Sequence, residues 1–275
     1  MEDKIQELIK LIKKNKKYAS LSSDIISREL EEFKRKNPGI KLEDIKSEYI
    51  VKEIRTRLHK MHGSFQVKEN KKREKYFEEL KNNPRDLDII DDILRTNKST
   101  DERVEDYPEI YKKIFAITNK PGSIIDLGCG INPVSFVYMD LPINTEYLAY
   151  DINDRDEVFL NEFFSLEKIN GKANILDTSK VDNIKSLPNS DLCFMFKFLD
   201  PIEKAYGKGH KLAEEIIVEL RKKVKFIVIS FSKLTVSGNP MNFPYRGWMD
   251  RMLERLELKT KQFETDNEIF YVIKS

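Results

Sequence analysis

The stretch "SIIDLGCGINPVSF", residues 123–136, places a carboxylate, Asp126, just ahead of two glycines that flank a cysteine. Glycines after a buried strand bring backbone N–H groups close to a ligand, since they accept positive φ and carry no Cβ. Two more carboxylates follow at similar intervals: Asp151 closes "TEYLAYD" and Asp177 closes "KANILD". An acid ending the second strand, about 20 residues past a glycine turn, is placed to accept ribose hydroxyls. A nucleoside cofactor is implied. A dinucleotide fingerprint wants a third glycine where Pro133 stands, which disfavours nicotinamide and flavin. S-adenosyl-L-methionine is the candidate left. Asp126 is then expected at the methionine amine, Asp151 at the ribose and Asp177 at the adenine amino group, with Gly128, Cys129 and Gly130 completing the cofactor set.

Such residues work together only on one sheet edge. After Gly122, short apolar runs alternate with helical patterns: "SIIDLG", "TEYLAYD", "KANILD", "SDLCFMFKFL", "VKFIVISF" and "EIFYVIKS". This is the α/β pattern of a mostly parallel, Rossmann-like sheet with crossover helices. No strand-like segment precedes residue 120. Ile5, Leu8, Ile9 and Ile12 recur at helical spacing over Lys4–Lys17, as do Ile45, Tyr49, Ile54, Leu58 and Met61 over Leu42–Phe65. Pro38-Gly39 breaks the chain between them. Ser99 with Glu102 reads as a capping box opening a helix that runs to about Ile117. The expected organisation is an all-helical, basic domain over 1–105 and an α/β domain over 106–275, which the resemblance described below makes an RNA-binding domain and a methyltransferase domain.

The charge distribution supports that division. The net charge is only +2, yet residues 10–75 hold 20 Lys/Arg against 10 Asp/Glu, leaving the rest of the chain at −8. A basic quarter of this kind suits a polyanion-binding face, and Lys16, Lys17, Arg55, Arg57 and Lys60 are expected to contact phosphates. The segment 232–248, "SKLTVSGNPMNFPYRGW", joins Lys233 and Arg246 to Phe243, Tyr245 and Trp248, as suits a place where an extracted base is stacked and its phosphates are held. Lys197 lies among Phe194, Met195, Phe196 and Phe198, where an ammonium is costly to bury without an anion, which points to a functional role. No apolar run approaches the ~20 residues of a membrane helix, so a cytoplasmic protein with no membrane partner is expected. Cys129 and Cys193 are isolated, and His59, His62 and His210 form no ligand pattern, so neither a disulfide framework nor a metal is expected. A monomer is expected.

Beyond the glycine turn, "KKYASLSSDII", "IRTRLHKMHGSF", "STDERVEDYPEIYKKIF", "DLCFMFKFLDPIEKAYG", "VISFSKLTVSG" and "EIFYVIKS" span nearly the whole chain. Together they resemble the aminoglycoside-resistance methyltransferases that modify nitrogen-7 of a guanine in the decoding region of small-subunit ribosomal RNA. The resemblance implies a class I S-adenosylmethionine-dependent methyltransferase fold behind an N-terminal helical domain. It implies that Arg103 pairs with the methionine carboxylate, that Gly128 and Gly130 pass close to the methionine, and that Asp151 and Asp177 hold the nucleoside. Lys197 and Ser230 would line the catalytic side. Guanine nitrogen-7 carries a free lone pair at neutral pH, so alignment rather than a general base would drive the transfer. The sequence departs from the family pattern at Phe65, usually Tyr, at Tyr206, usually Gln, and at Leu234, usually Arg. These departures leave open a tRNA guanine as target in place of ribosomal RNA. An RNA-binding or ribosome-assembly factor with little turnover is a further alternative. A small-molecule methyltransferase is a third, opposed by the basic stretch.

Overall fold

The computed structural model describes residues 2–39, 46–62, 70–207, 209–235 and 237–275, the side chains at 2, 60–62 and 70 excepted. The Lys60 side chain and Phe65 therefore lie outside the described residues. Helices come first: α1 (Glu2–Lys13), α2 (Ser23–Lys36), α3 (Ser47–His62), α4 (Asn70–Asn82), α5 (Leu87–Arg95), α6 (Lys98–Asp101) and α7 (Tyr107–Thr118). α2, which the periodicity reading passed over, is opened by the Ser22 hydroxyl accepting from the Asp24 N–H, and it buries Ile25, Ile26, Leu30 and Phe33. The expected helix from Ser99 to Ile117 is broken instead. Asn97, not Ser99, caps α6; a 3-10 turn over Val104–Asp106 follows, and Pro108 in the first turn starts α7. The Ser99 hydroxyl is used elsewhere, accepting from Arg103 Nη2 at 2.7 Å.

The sheet comprises β1 (Ser123–Leu127), β2 (Glu146–Asp151), β3 (Gly171–Ile175), β4 (Ser190–Phe196), β5 (Val224–Ser232), β6 (Thr260–Glu264) and β7 (Glu268–Lys274). Their order is β3-β2-β1-β4-β5-β7-β6. β1 to β5 are parallel, and β7 runs antiparallel to both β5 and β6. α8 (Asp154–Glu167), α9 (Val181–Lys185), α10 (Leu199–Tyr206), α11 (Lys211–Leu220) and α12 (Gly247–Arg255) complete the α/β unit. The runs read as strands from sequence lie in β1–β5 and β7, since strands covered on both faces are near-continuously apolar. β6, "TKQFE", is an edge strand without a buried residue, so it carries no such signal.

Burial separates the chain differently from the expected boundary at 105. α1–α3 close a core of their own around Leu8, Ile12, Leu21, Ile26, Ile50 and Ile54. α4, α5 and α7 instead share a core with one face of the sheet, through Phe77, Ile90, Leu94, Tyr107, Phe194 and Phe270. By shared core, the helical unit is α1–α3. It docks on the loop after β2: the Ser22 N–H donates to the Ile152 carbonyl at 3.1 Å and the Asp154 N–H to the Ser20 carbonyl at 2.9 Å. No helix among the described residues is long and apolar enough to cross a membrane.

Candidate functional site

β1 and β4 are neighbours whose outgoing connections diverge, one toward β2 and the other toward β5, and such a switch point opens a crevice at the carboxyl edge. A cleft occupies it. Arg103, Asp126, Gly128, Cys129, Gly130, Asp151, Asp177 and Lys197 all line this cleft, beside an apolar shelf of Ile152, Leu176, Phe198 and Ile202. The turn after β1 needs its glycines. Gly128 has φ +65°, and a Cβ there would fall 2.3 Å from the Phe198 ring. Gly130, at φ +51°, donates its N–H to Asp151 Oδ2 at 2.9 Å, while Asp151 Oδ1 accepts from the Ile152 N–H at 2.7 Å. One carboxylate therefore ties the glycine turn to the end of β2, at the cleft edge where a ligand hydroxyl would approach it.

Asp126 is buried, and its Oδ2 accepts from Asn132 Nδ2 and the Tyr147 hydroxyl, each at 2.8 Å. Burial pushes its pKa up to about 6 against those two bonds. Its environment suits the approach of a cation, which would favour the ionised form. The Cys129 thiol is pushed well up by burial, which keeps it protonated and packed rather than nucleophilic. Asp177 is engaged on both oxygens: Oδ1 accepts from the Ser179 N–H at 3.1 Å and the Ser179 hydroxyl at 2.6 Å, and Oδ2 pairs with Arg28 of α2.

Lys197, Ser230 and Arg103 converge on a residue the sequence reading passed over. Glu268, fully buried at the start of β7, pairs with Arg103 Nε at 2.6 Å and Lys197 Nζ at 2.9 Å, and accepts from the Ser230 hydroxyl at 2.6 Å. Lys197 also pairs with Glu102. Two cations thus face two carboxylates, and the lysine that needed an anion has two. The arginine and lysine hold the Glu268 carboxyl below its usual pKa despite burial. Lys197 takes φ +53°, and its N–H donates to both the Ser230 carbonyl at 3.0 Å and hydroxyl at 3.1 Å. A non-glycine residue held in the left-handed region is a strain that neighbours must overdetermine, and such strain gathers at functional sites. Arg103 also donates to Asn132 Oδ1 at 2.9 Å, the Tyr107 hydroxyl at 3.3 Å and the Ser99 hydroxyl.

The residues expected at RNA fare unevenly. Lys16 is exposed. Lys17 sits with its Nζ 2.6 Å from His59 Nδ1, and burial lowers its pKa. Arg55 instead caps α1, donating Nη2 to the carbonyls of Leu11 at 2.7 Å and Ile12 at 3.1 Å. Arg57 faces the buried Glu29 at 3.0 Å and is partly exposed. On the far side, Lys233 pairs with Glu264 at 2.9 Å, and Arg246 pairs with Asp200 at 2.6 Å while lying over the Phe231 ring. Trp248 stacks face to face on His210, ring centroids 4.0 Å apart, and meets Phe231 edge-on. The loop's open aromatics are Phe243, 90% exposed, and Tyr245, 62% exposed. Arg28, Glu29, Asn132 and Glu268 escaped the reading. Glu29 had a signal, since it falls on the apolar face of α2 between Ile26 and Phe33, where a carboxylate needs a cation.

The family model described as "Ribosomal RNA methyltransferase (FmrO)" matches residues 44–272. A 16S rRNA (guanine(1405)-N(7))-methyltransferase of Proteus mirabilis is 30% identical over 292 residues, covering 98% of this chain and 96% of the relative. A protein of the same name from Frankia casuarinae is 26% identical, over 66% of this chain and 62% of its own. Among solved structures, the 16S rRNA methyltransferase RmtF in complex with S-adenosyl-L-homocysteine superposes with TM-score 0.79 at 20% identity, over 100% of this chain and 99% of its own. The 16S rRNA methylase RmtB gives TM-score 0.74 at 20% identity, over 98% of both chains. These structures share the Rossmann-like methyltransferase fold, and by the family match this chain belongs to the FmrO family of ribosomal RNA methyltransferases.

Proposed function

We propose that this protein methylates nitrogen-7 of a guanine in small-subunit ribosomal RNA, at the position the relatives' names number 1405, with S-adenosyl-L-methionine as cofactor. The observation that carries this is the alignment to the Proteus mirabilis enzyme over almost the full length of both chains, joined to a cleft whose acids lie at successive strand ends. The residues present fit the cofactor: carboxylates for ammonium and hydroxyls, a glycine turn open to close approach, and an apolar shelf for a flat base. Asp151 would take the ribose, Asp126 the methionine ammonium, Arg103 the methionine carboxylate, and Asp177 the edge of the adenine. When bound, the cofactor would supply an electrophilic sulfonium methyl, to whose carbon the guanine nitrogen-7 lone pair would donate as the carbon–sulfur pair leaves on sulfur.

No proton has to leave, so the chain's work is orientation and charge balance. The methylated base is a cation, and a bare lysine beside it would oppose the reaction. Lys197 is not bare: Glu102 and Glu268 neutralise it together with Arg103. Ser230 holds the Lys197 backbone and Glu268 in register from β5. Phe243 and Tyr245 are placed to stack on an exposed base, a role Trp248 yields because His210 already covers its ring. Lys16 and Arg57 supply phosphate contacts on the helical unit.

The test is to incubate the protein and S-adenosylmethionine with small ribosomal subunits and, separately, with unmodified tRNA, and to map 7-methylguanine by borohydride–aniline cleavage. A single site in the small-subunit RNA is expected. Modification of tRNA alone would overturn the choice of target. Cofactor binding with no RNA methylated would leave an RNA-binding factor.

A further inference from the structure

The helical unit touches the wall of the cleft from outside through Arg28. Arg28, on α2, pairs with Asp177 and bonds the hydroxyls of Ser179 and Tyr206; Asp177, Ser179 and Tyr206 all line the cleft. Its guanidinium lies over the Tyr206 ring, 4.4 Å from the centroid. Behind it stands Glu29, fully buried, whose Oε1 accepts from Arg28 Nη2 at 2.8 Å and from the Tyr206 hydroxyl at 2.8 Å, and whose Oε2 faces Arg57 of α3 at 3.0 Å. Four charges alternate in a row: Arg57, Glu29, Arg28, Asp177. The row begins on a half-open basic helix and ends on a cleft-lining carboxylate.

The row is also imperfectly satisfied. Arg28 Nε and Glu29 Oε2 are buried without a hydrogen-bond partner among the described residues, the Arg57 contact being ionic but not aligned as a hydrogen bond. Buried polar atoms in that condition are costly, so a ligand that rearranges the row meets little resistance. A phosphate drawing on Arg57 takes one cation from Glu29. Glu29 is buried and cannot turn to water, so its charge falls more heavily on Arg28. Arg28 then holds Asp177 less, and an Asp177 lone pair becomes available to a base in the cleft.

We propose that Arg28 is a positioning residue that couples RNA engagement at the helical unit to cofactor affinity, through the row Arg57–Glu29–Arg28–Asp177. The proposal rests on the reading of the cleft as the cofactor site and of the helical unit as an RNA contact. Its sign is positive: RNA tightens the cofactor, and by reciprocity the cofactor tightens RNA by the same factor.

The experiment measures S-adenosylhomocysteine affinity of the full chain by calorimetry, alone and with saturating small ribosomal subunits, for the native protein, Arg28→Gln and Arg28→Lys. Circular dichroism and urea unfolding report whether each variant is folded. The native protein should bind about 5- to 20-fold more tightly with the subunit than without it. Arg28→Gln should bring that ratio close to 1. Arg28→Lys keeps the charge without the fork that reaches Asp177, Ser179 and Glu29 together, so its ratio should fall between the two; should Arg28→Gln fail to fold, Arg28→Lys decides. A merely structural arginine would shift affinity equally in both arms and leave the ratio alone, which would overturn the proposal. A native ratio of 1 in a protein that binds the cofactor and methylates RNA would overturn it too, with the proposed function intact. A native protein that does not bind the cofactor would bring down both.

Discussion

Replacing Glu268 by Gln tests whether the cleft floor is held by charge. The substitution keeps size and shape. The remaining carbonyl oxygen can still accept from Arg103 Nε and Lys197 Nζ, and the new amide can meet the Ser230 hydroxyl, so three contacts survive while the negative charge does not. What is lost is the compensation of two cations that are themselves buried, Arg103 at 2% and Lys197 at 6% exposure. Of these two cations, Glu102 pairs with Lys197. Removing one partner from a buried ion pair costs about 3–5 kcal/mol, against a typical total stability of about 5–15 kcal/mol. At roughly 2–4 °C per kcal/mol for a unit of this size, the melting temperature should drop by about 6–20 °C. The pH dependence has a definite sign. The folded-state pKa of Glu268 lies below its unfolded value, so its contribution is present above the unfolded pKa and is lost as pH falls through the folded one. Native and variant should therefore converge in acid. Urea unfolding followed by tryptophan fluorescence at pH 7 and at a series of values from pH 4 downward reads both effects. A loss under about 1 kcal/mol at pH 7, or a difference that fails to shrink in acid, would refute the reasoning.

Other outcomes follow from the same geometry. Asp151→Ala removes a charged acceptor and should weaken S-adenosylmethionine binding by about 1.5–3 kcal/mol in calorimetry; unchanged affinity in a folded variant would remove it from the ribose. Cofactor affinity should rise with pH about a midpoint near 6, because Asp126, pushed up to about 6, must ionise to meet an ammonium; Asp126→Asn should flatten that profile, and a profile that survives in the variant would clear Asp126 of the role. Gly128→Ala meets both a positive φ and the Phe198 ring, so a stability loss of at least about 1–3 kcal/mol is expected, and a neutral result would mean that the turn relaxes freely. Phe243→Ala should lower methylation of the small subunit with cofactor affinity unchanged, a base stack contributing about 1–3 kcal/mol, whereas Trp248→Ala should show first in thermal stability. The reverse pattern would return the stacking role to Trp248.

Patterns that act locally were legible in the amino-acid sequence. Apolar runs closed by Asp126, Asp151 and Asp177 disclosed parallel strands and the edge where a ligand binds, because a parallel strand buried on both faces has no other composition and its last residue opens onto the crevice. The glycine turn was legible because positive φ leaves few residue choices. The RNA-facing charge could be counted but not aimed: nothing local distinguishes Lys16, which stays exposed, from Arg55, whose guanidinium closes the end of α1. Tertiary structure alone decided the pairings between distant segments. Arg103 meets Glu268 across 165 positions, Arg28 meets Asp177 across 149, and Tyr206 meets Glu29 across 177. A buried charge announces only that it needs a counter-charge; which one it finds depends on how β7 inserts beside β5 and where α2 docks on the loop after β2, and those are properties of the packed chain.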